Sequence, residues 1–147
     1  MGLSSECIVS AWCAAYIAVL SIAAVVDART RTFPNRLAGL LLLVSAAYSL
    51  CGRSLATTVR DVAIAFAVCS VLVVIEVAWR RAVGRAGLGM GDIKFLFASA
   101  WCGFSVAVLS FAAGLIALGA CALVFRRASW PLLPFVVPFQ VLFTLAV

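Results

Sequence analysis

Ile93–Phe125, IKFLFASAWCGFSVAVLSFAAGLIALGACALVF, is an almost unbroken apolar run of 33 residues. As one helix it would be about 50 Å long against a bilayer hydrocarbon core of about 30 Å, so it must break. Gly103, in WCGF, is the expected turn, because glycine accepts the backbone angles that a chain reversal demands. The run then divides into a short fourth span and a fifth from about Phe104 to Phe125. A five-span count follows instead if the fourth segment is re-entrant.

Upstream of this run, one apolar stretch covers about Cys7 to Val26 and stops at Asp27. A second, shorter one covers Leu37 to Cys51, and a third covers Val62 to Trp79, interrupted only by Glu76 near its end. Downstream, a sixth begins at about Trp130 and contains Pro131, Pro134 and Pro138. The whole chain is 67% hydrophobic and 11% charged, with a mean hydropathy of +1.25, whereas soluble domains are roughly half apolar and a quarter charged. The expected fold class is therefore all-α, a polytopic membrane protein with about six transmembrane helices. Residues 1–147 are read as a single integral-membrane domain with no soluble domain. The first stretch is read as a true span, since no basic residue precedes it and no small-residue cleavage site follows.

The distribution of charge supports this division. The connectors with Arg29, Arg31 and Arg36, with Arg80, Arg81, Arg85 and Lys94, and with Arg126 and Arg127 hold nine of the eleven basic residues; Arg53 and Arg60 are the other two. Basic residues concentrate in cytoplasmic loops, so an alternation this strict puts those connectors inside and both termini outside, in the cytoplasmic membrane. The same placement accounts for the net charge of +6 and the pI near 9.4 without nucleic acid as a partner; the lipid bilayer is the partner implied. Six cysteines lie in or beside apolar runs, with no C-x-x-C pair and no histidine. No metal site, disulfide framework or cofactor is expected from that set.

Five acidic residues remain: Glu6, Asp27, Asp61, Glu76 and Asp92. Glu6 and Asp61 fall at outer ends, where a solvated carboxylate needs no explanation. Asp27 ends the first span and Asp92 opens the fourth, so both lie at the cytoplasmic face, where ionisable groups in membrane segments point to function. Two carboxylates at close range can share one proton, leaving one as base toward water and the other as acid toward a carbonyl. Ordinary interfacial ion pairs, Asp27 with Arg29 or Arg31 and Asp92 with Lys94 or an arginine of its loop, are the structural alternative. Gly89 and Gly91 flank the acid in GMGD, and glycines there permit positive φ and close backbone approach to an extended peptide.

Three pieces together resemble the type IV prepilin peptidase family, the GxGD intramembrane aspartyl proteases that include the preflagellin peptidases. They are DARTRTFPN at 27–35, GMGDIKF at 89–95 and the proline-rich LPFVVPF at 133–139. The resemblance implies that Asp27 and Asp92 are a catalytic aspartyl pair and that Gly89 and Gly91 let the backbone beside Asp92 receive substrate. It makes Lys94 and Asn35 supporting residues and gives Pro34 the exit from the first span. Glu76 has two readings, as a structural partner of the arginine cluster or as a contact for a substrate's basic leader. The implied activity is an aspartic endopeptidase that cleaves the leader from type IV pilin-like precursors at the cytoplasmic face. Large bacterial members carry an extra cytoplasmic region with paired cysteines and also methylate the new N-terminus. That region is not seen here, so the chain resembles the small tight-adherence (Flp) or archaeal forms and is expected to lack methyltransferase activity. The rival from another class is a small transporter or assembly subunit that uses the two aspartates to bind or relay a cation.

Overall fold

The computed structural model describes residues 2–84, 88–125 and 130–146, with side chains from Glu6 onward. Among these residues the fold is all-α, with six helices: α1 (Gly2–Thr30), α2 (Asn35–Gly52), α3 (Leu55–Val83), α4 (Met90–Ala100), α5 (Phe104–Phe125) and α6 (Leu133–Ala146). Of the basic residues that set the expected topology, Arg85, Arg126 and Arg127 lie outside the described residues.

Local chemistry fixes the breaks. Pro34 precedes α2, and its carbonyl accepts from the Leu37 and Ala38 N–H groups at 3.0 Å. Ser54 caps α3, its hydroxyl accepting from the Thr57 N–H at 3.3 Å, and Gly84 closes α3 in the left-handed region, the usual helix stop. The long apolar run breaks where expected: Gly103 has φ +153° and separates α4 from α5.

Helix number matches the expected six, but length separates them. α1, α2, α3 and α5 are long and apolar enough to cross a membrane. With 14 residues α6 is shorter. α4 has 11 residues and reaches about 16 Å, roughly half the hydrocarbon thickness.

The short helix is the middle of the bundle. α4 packs on α2, α3 and α5, and α6 closes the ring between α5 and α1. Phe95 and Ala100 of α4 are fully buried, as are Tyr16, Leu20 and Leu41 from α1 and α2. Buried polar side chains tie the helices together: the Ser45 hydroxyl of α2 donates to the Ala98 carbonyl of α4 at 2.7 Å, and the Gln140 amide of α6 donates to the Tyr16 hydroxyl at 3.0 Å. Such bonds matter between membrane helices, where lipid gives apolar side chains no preference for protein. α5 and α6 approach closely at Gly114, where a Cβ would stand 2.8 Å from the Cα of Val136.

At the end where α2 meets α3, Asp61 departs from the expected solvated carboxylate. It is buried and paired with Arg53 at 2.8 Å and Arg60 at 3.3 Å. Its third partner is the Phe104 N–H at the start of α5, at 3.4 Å, while Arg53 donates to the Cys102 carbonyl at 3.3 Å. The pair thus satisfies the helix ends that flank Gly103.

Candidate active site

Asp27 occupies the last turn of α1, facing inward and almost fully buried. The helix ends three residues later, when the Arg31 N–H donates to the Asp27 carbonyl at 2.8 Å and Arg31 itself takes φ +52°. A side chain in this left-handed conformation costs about 1–2 kcal/mol, so packing on either side must hold it. Phe33 supplies that packing: it is buried and stacks edge-on against Phe95 of α4, with ring centroids 5.8 Å apart. The chain leaving Asp27 is thereby pinned to the helix that carries Asp92. Phe33 was not among the residues expected to shape the site; its signal in the sequence is that it is the only aromatic between Asp27 and Arg36.

The GMGD glycines work differently from expectation. Gly89 has φ −65° and ψ 134°, and the positive-φ glycines among the described residues are Gly84 and Gly103. Space, not backbone angle, requires them. A Cβ on Gly89 would lie 2.8 Å from the Asp92 Oδ2, and one on Gly91 would lie 3.1 Å from the Phe33 Cβ. Gly91 lets the first connector lie against α4, and Gly89 leaves room for the carboxylate.

Asp27 and Asp92 line the same open cavity of about 480 Å³, together with Phe33, Gly89, Gly91 and Lys94. Trp130, Pro131 and Leu132, just ahead of α6, form another side of it. The Leu133 N–H donates to the Asp27 Oδ2 at 3.0 Å, so a carboxylate on the first helix caps the sixth. Asp92, in the first turn of α4 and outside the four spanning helices, has its carboxyl pushed up to about 6, first by burial and then by the nearby Asp27 carboxylate, with the Gly89 backbone pulling the other way. Ion pairs among the described residues are Arg53–Asp61, Arg60–Asp61 and Arg80–Glu76. Neither Asp27 nor Asp92 takes part in one.

The remaining expected residues divide between the cavity and its supports. The Lys94 ammonium donates to the Asn35 Oδ1 at 2.8 Å, joining the first turns of α4 and α2 right after Pro34. Glu76 is buried at 3% exposure and is not part of the cavity lining. It accepts from the Arg80 Nε at 2.6 Å and from the Leu88 N–H at 2.8 Å, which fastens the segment leading into Gly89. No group of three His, Cys, Asp or Glu side chains among the described residues is placed to hold a metal ion.

The model of the type IV leader peptidase family matches residues 14–124. The chain belongs to that family. No curated protein matches it, and no solved structure does. The match takes in Asp27, the GMGD glycines and Asp92 and ends before α6, so the proline-rich LPFVVPF lies beyond it. In this peptidase the link between that last helix and Asp27 is the Leu133 hydrogen bond.

Proposed function

We propose that this peptidase is an intramembrane aspartyl endopeptidase that removes the leader from type IV pilin-like precursors, with Asp27 and Asp92 as its acid-base pair. The observation that carries the reading is their shared cavity, in which each carboxylate has an oxygen not taken by an ion pair. Asp27 Oδ2 already accepts from the Leu133 N–H, and burial together with the nearby Asp27 carboxylate pushes the Asp92 carboxyl up, so the single proton of the pair is assigned to Asp92. Asp27 then takes a proton from water as the water oxygen attacks the scissile carbonyl carbon. Asp92 gives its proton to the carbonyl oxygen, forming a neutral gem-diol. Collapse of the diol breaks the C–N bond, the amine leaves with the proton held by Asp27, and a diol hydroxyl returns one to Asp92.

Gly89 and Gly91 keep the wall beside Asp92 free of side chains, giving an extended substrate backbone access to the acid. The Lys94–Asn35 bond and Pro34 position α4 against α2, and Glu76 is a positioning residue for the approach to Gly89. Precursor cleavage is assigned to the cytoplasmic face of the cytoplasmic membrane, with both termini outside, because the arginine-bearing connectors share the side of the cavity. Hydrolysis without methyl transfer is the activity assigned; the Arg31–Pro34 connector between α1 and α2 leaves no room there for a second catalytic region.

The test is cleavage of a reconstituted precursor by purified Asp27→Asn and Asp92→Asn variants. Each is expected to abolish turnover while still inserting into membranes, since neutralising a charge lowers the cost of insertion. Turnover near the wild-type rate in either variant would remove the aspartyl mechanism.

A further inference from the structure

A larger hollow of about 650 Å³ lies on the flank of the bundle, with α2 and α3 as its walls and α4 as its floor. Its origin is in the topology. α2 and α3 are joined by Arg53 and Ser54 alone, and near that joint they touch, the Ser49 and Thr58 hydroxyls lying 2.8 Å apart. Away from the joint each packs on α4 more than on the other, so the two helices spread and leave a groove over α4. Gly39 leaves the α2 wall bare, with nothing within 4 Å of where its Cβ would stand. The opposite wall presents Phe66, Val73 and Val74, and Lys94 is the one charged side chain in the lining.

Met90 and Lys94 line this groove and also the cavity that holds Asp27 and Asp92. The apolar groove and the polar cavity therefore run into one another at the first turn of α4. We infer that the groove is the docking site for the apolar helix of the precursor, which rests on the function proposed above. A peptide that lies in the groove as a helix and leaves it past Lys94 enters the cavity where its backbone meets the two carboxylates. The groove is uncharged along its length up to Lys94, matching an occupant that is apolar until it ends at the cavity. Ala38 and Gly39 in the wall and Ala98 in the floor let a second helix backbone come close, as small residues do between membrane helices.

The experiment compares two substrates in proteoliposomes, a full precursor and a soluble peptide that spans the cleavage site but lacks the helix. Gly39→Phe fills the groove from a position where the added Cβ has nothing within 4 Å. It is expected to slow precursor processing about tenfold or more and to change the slower peptide cleavage less than about twofold. Ile116→Phe, on the exposed side of α5 at 74% exposure, is expected to change neither. Wild-type precursor processing by Gly39→Phe would overturn the inference. A photoreactive phenylalanine analogue at Val74, which is 68% exposed, gives an independent reading. Adducts with the precursor helix support the docking site, and adducts with lipid alone at saturating precursor overturn it. That second measurement decides the matter if Gly39→Phe loses both activities. It does so too if the wild type cleaves no precursor, a result that would remove the proposed function and leave the groove to be judged by its adducts.

Discussion

The Asp27 carboxylate and the Leu133 N–H are 106 positions apart in sequence and 3.0 Å apart in space, so the end of the first helix is also the cap of the last. α6 has Pro134 in its first turn, which has no N–H to leave unsatisfied, and Asp27 serves the donor just before it. The two roles of this oxygen separate by substitution. Asp27→Asn keeps an amide oxygen for Leu133 and is expected to abolish cleavage with little change in thermal unfolding in detergent. Asp27→Ala loses the cap as well and is expected to unfold more easily by about 1 kcal/mol. Equal stability of the two variants would mean that the cap contributes nothing.

A dependence of stability on pH follows from Asp92. Its carboxyl is raised from the ordinary 3.8 to about 6, so the folded protein holds this proton more tightly than the unfolded chain does. The stabilisation is fully present below the unfolded value and is lost as pH rises through the folded one. Relative to Asp92→Asn, the wild type is expected to lose unfolding temperature between about pH 4 and pH 6. The variant should therefore be the more stable protein at neutral pH while being inactive. Parallel melting curves across that range would contradict the assignment.

Gly89→Ala is expected to act on the site and spare the fold. The backbone at Gly89 has angles any residue adopts, yet the new methyl would stand 2.8 Å from the Asp92 Oδ2. Cleavage should fall about tenfold or more as the carboxylate is displaced, with the melting temperature nearly unchanged. Unchanged turnover would show that the Asp92 side chain moves aside without consequence.

Gly114→Ala tests the seam between α5 and α6 at a residue outside the cavity lining. Backbone atoms of Val136 lie 2.8 and 2.9 Å from the added Cβ, and backbone cannot swing away as a side-chain end can. Overpacking of this kind costs about 1–3 kcal/mol. Because the start of α6 is bonded to Asp27, cleavage should weaken along with stability, measured by melting and turnover on the same preparation.

Much of the helix plan was legible in the sequence because it is governed by local rules. The break at Gly103 follows from a run too long for a bilayer, and the break at Pro34 follows from a residue that cannot continue a helix. The strict alternation of arginines put Asp27 and Asp92 on one face before any geometry was known. The contacts that shape their cavity were not legible. Phe33 on Gly91, Asp27 on Leu133 and Asp61 on Phe104 join segments that nothing in the chain pairs, and a glycine needed for space reads the same as one needed for φ. Asp61 shows the limit from the other direction: its position beside a loop suggested a solvated group, and the fold buried it under Arg53.

α4 has 11 residues and cannot hold itself across a bilayer, so its depth is set by the helices around it. Membrane proteins commonly form in two stages, stable spans first and their association afterward. In this chain the four long helices qualify for the first stage, and α4 belongs to the second. The segment carrying Asp92 is then brought opposite Asp27 only when the bundle closes, so a nascent chain still entering the membrane carries both carboxylates without the cavity they share in the folded chain.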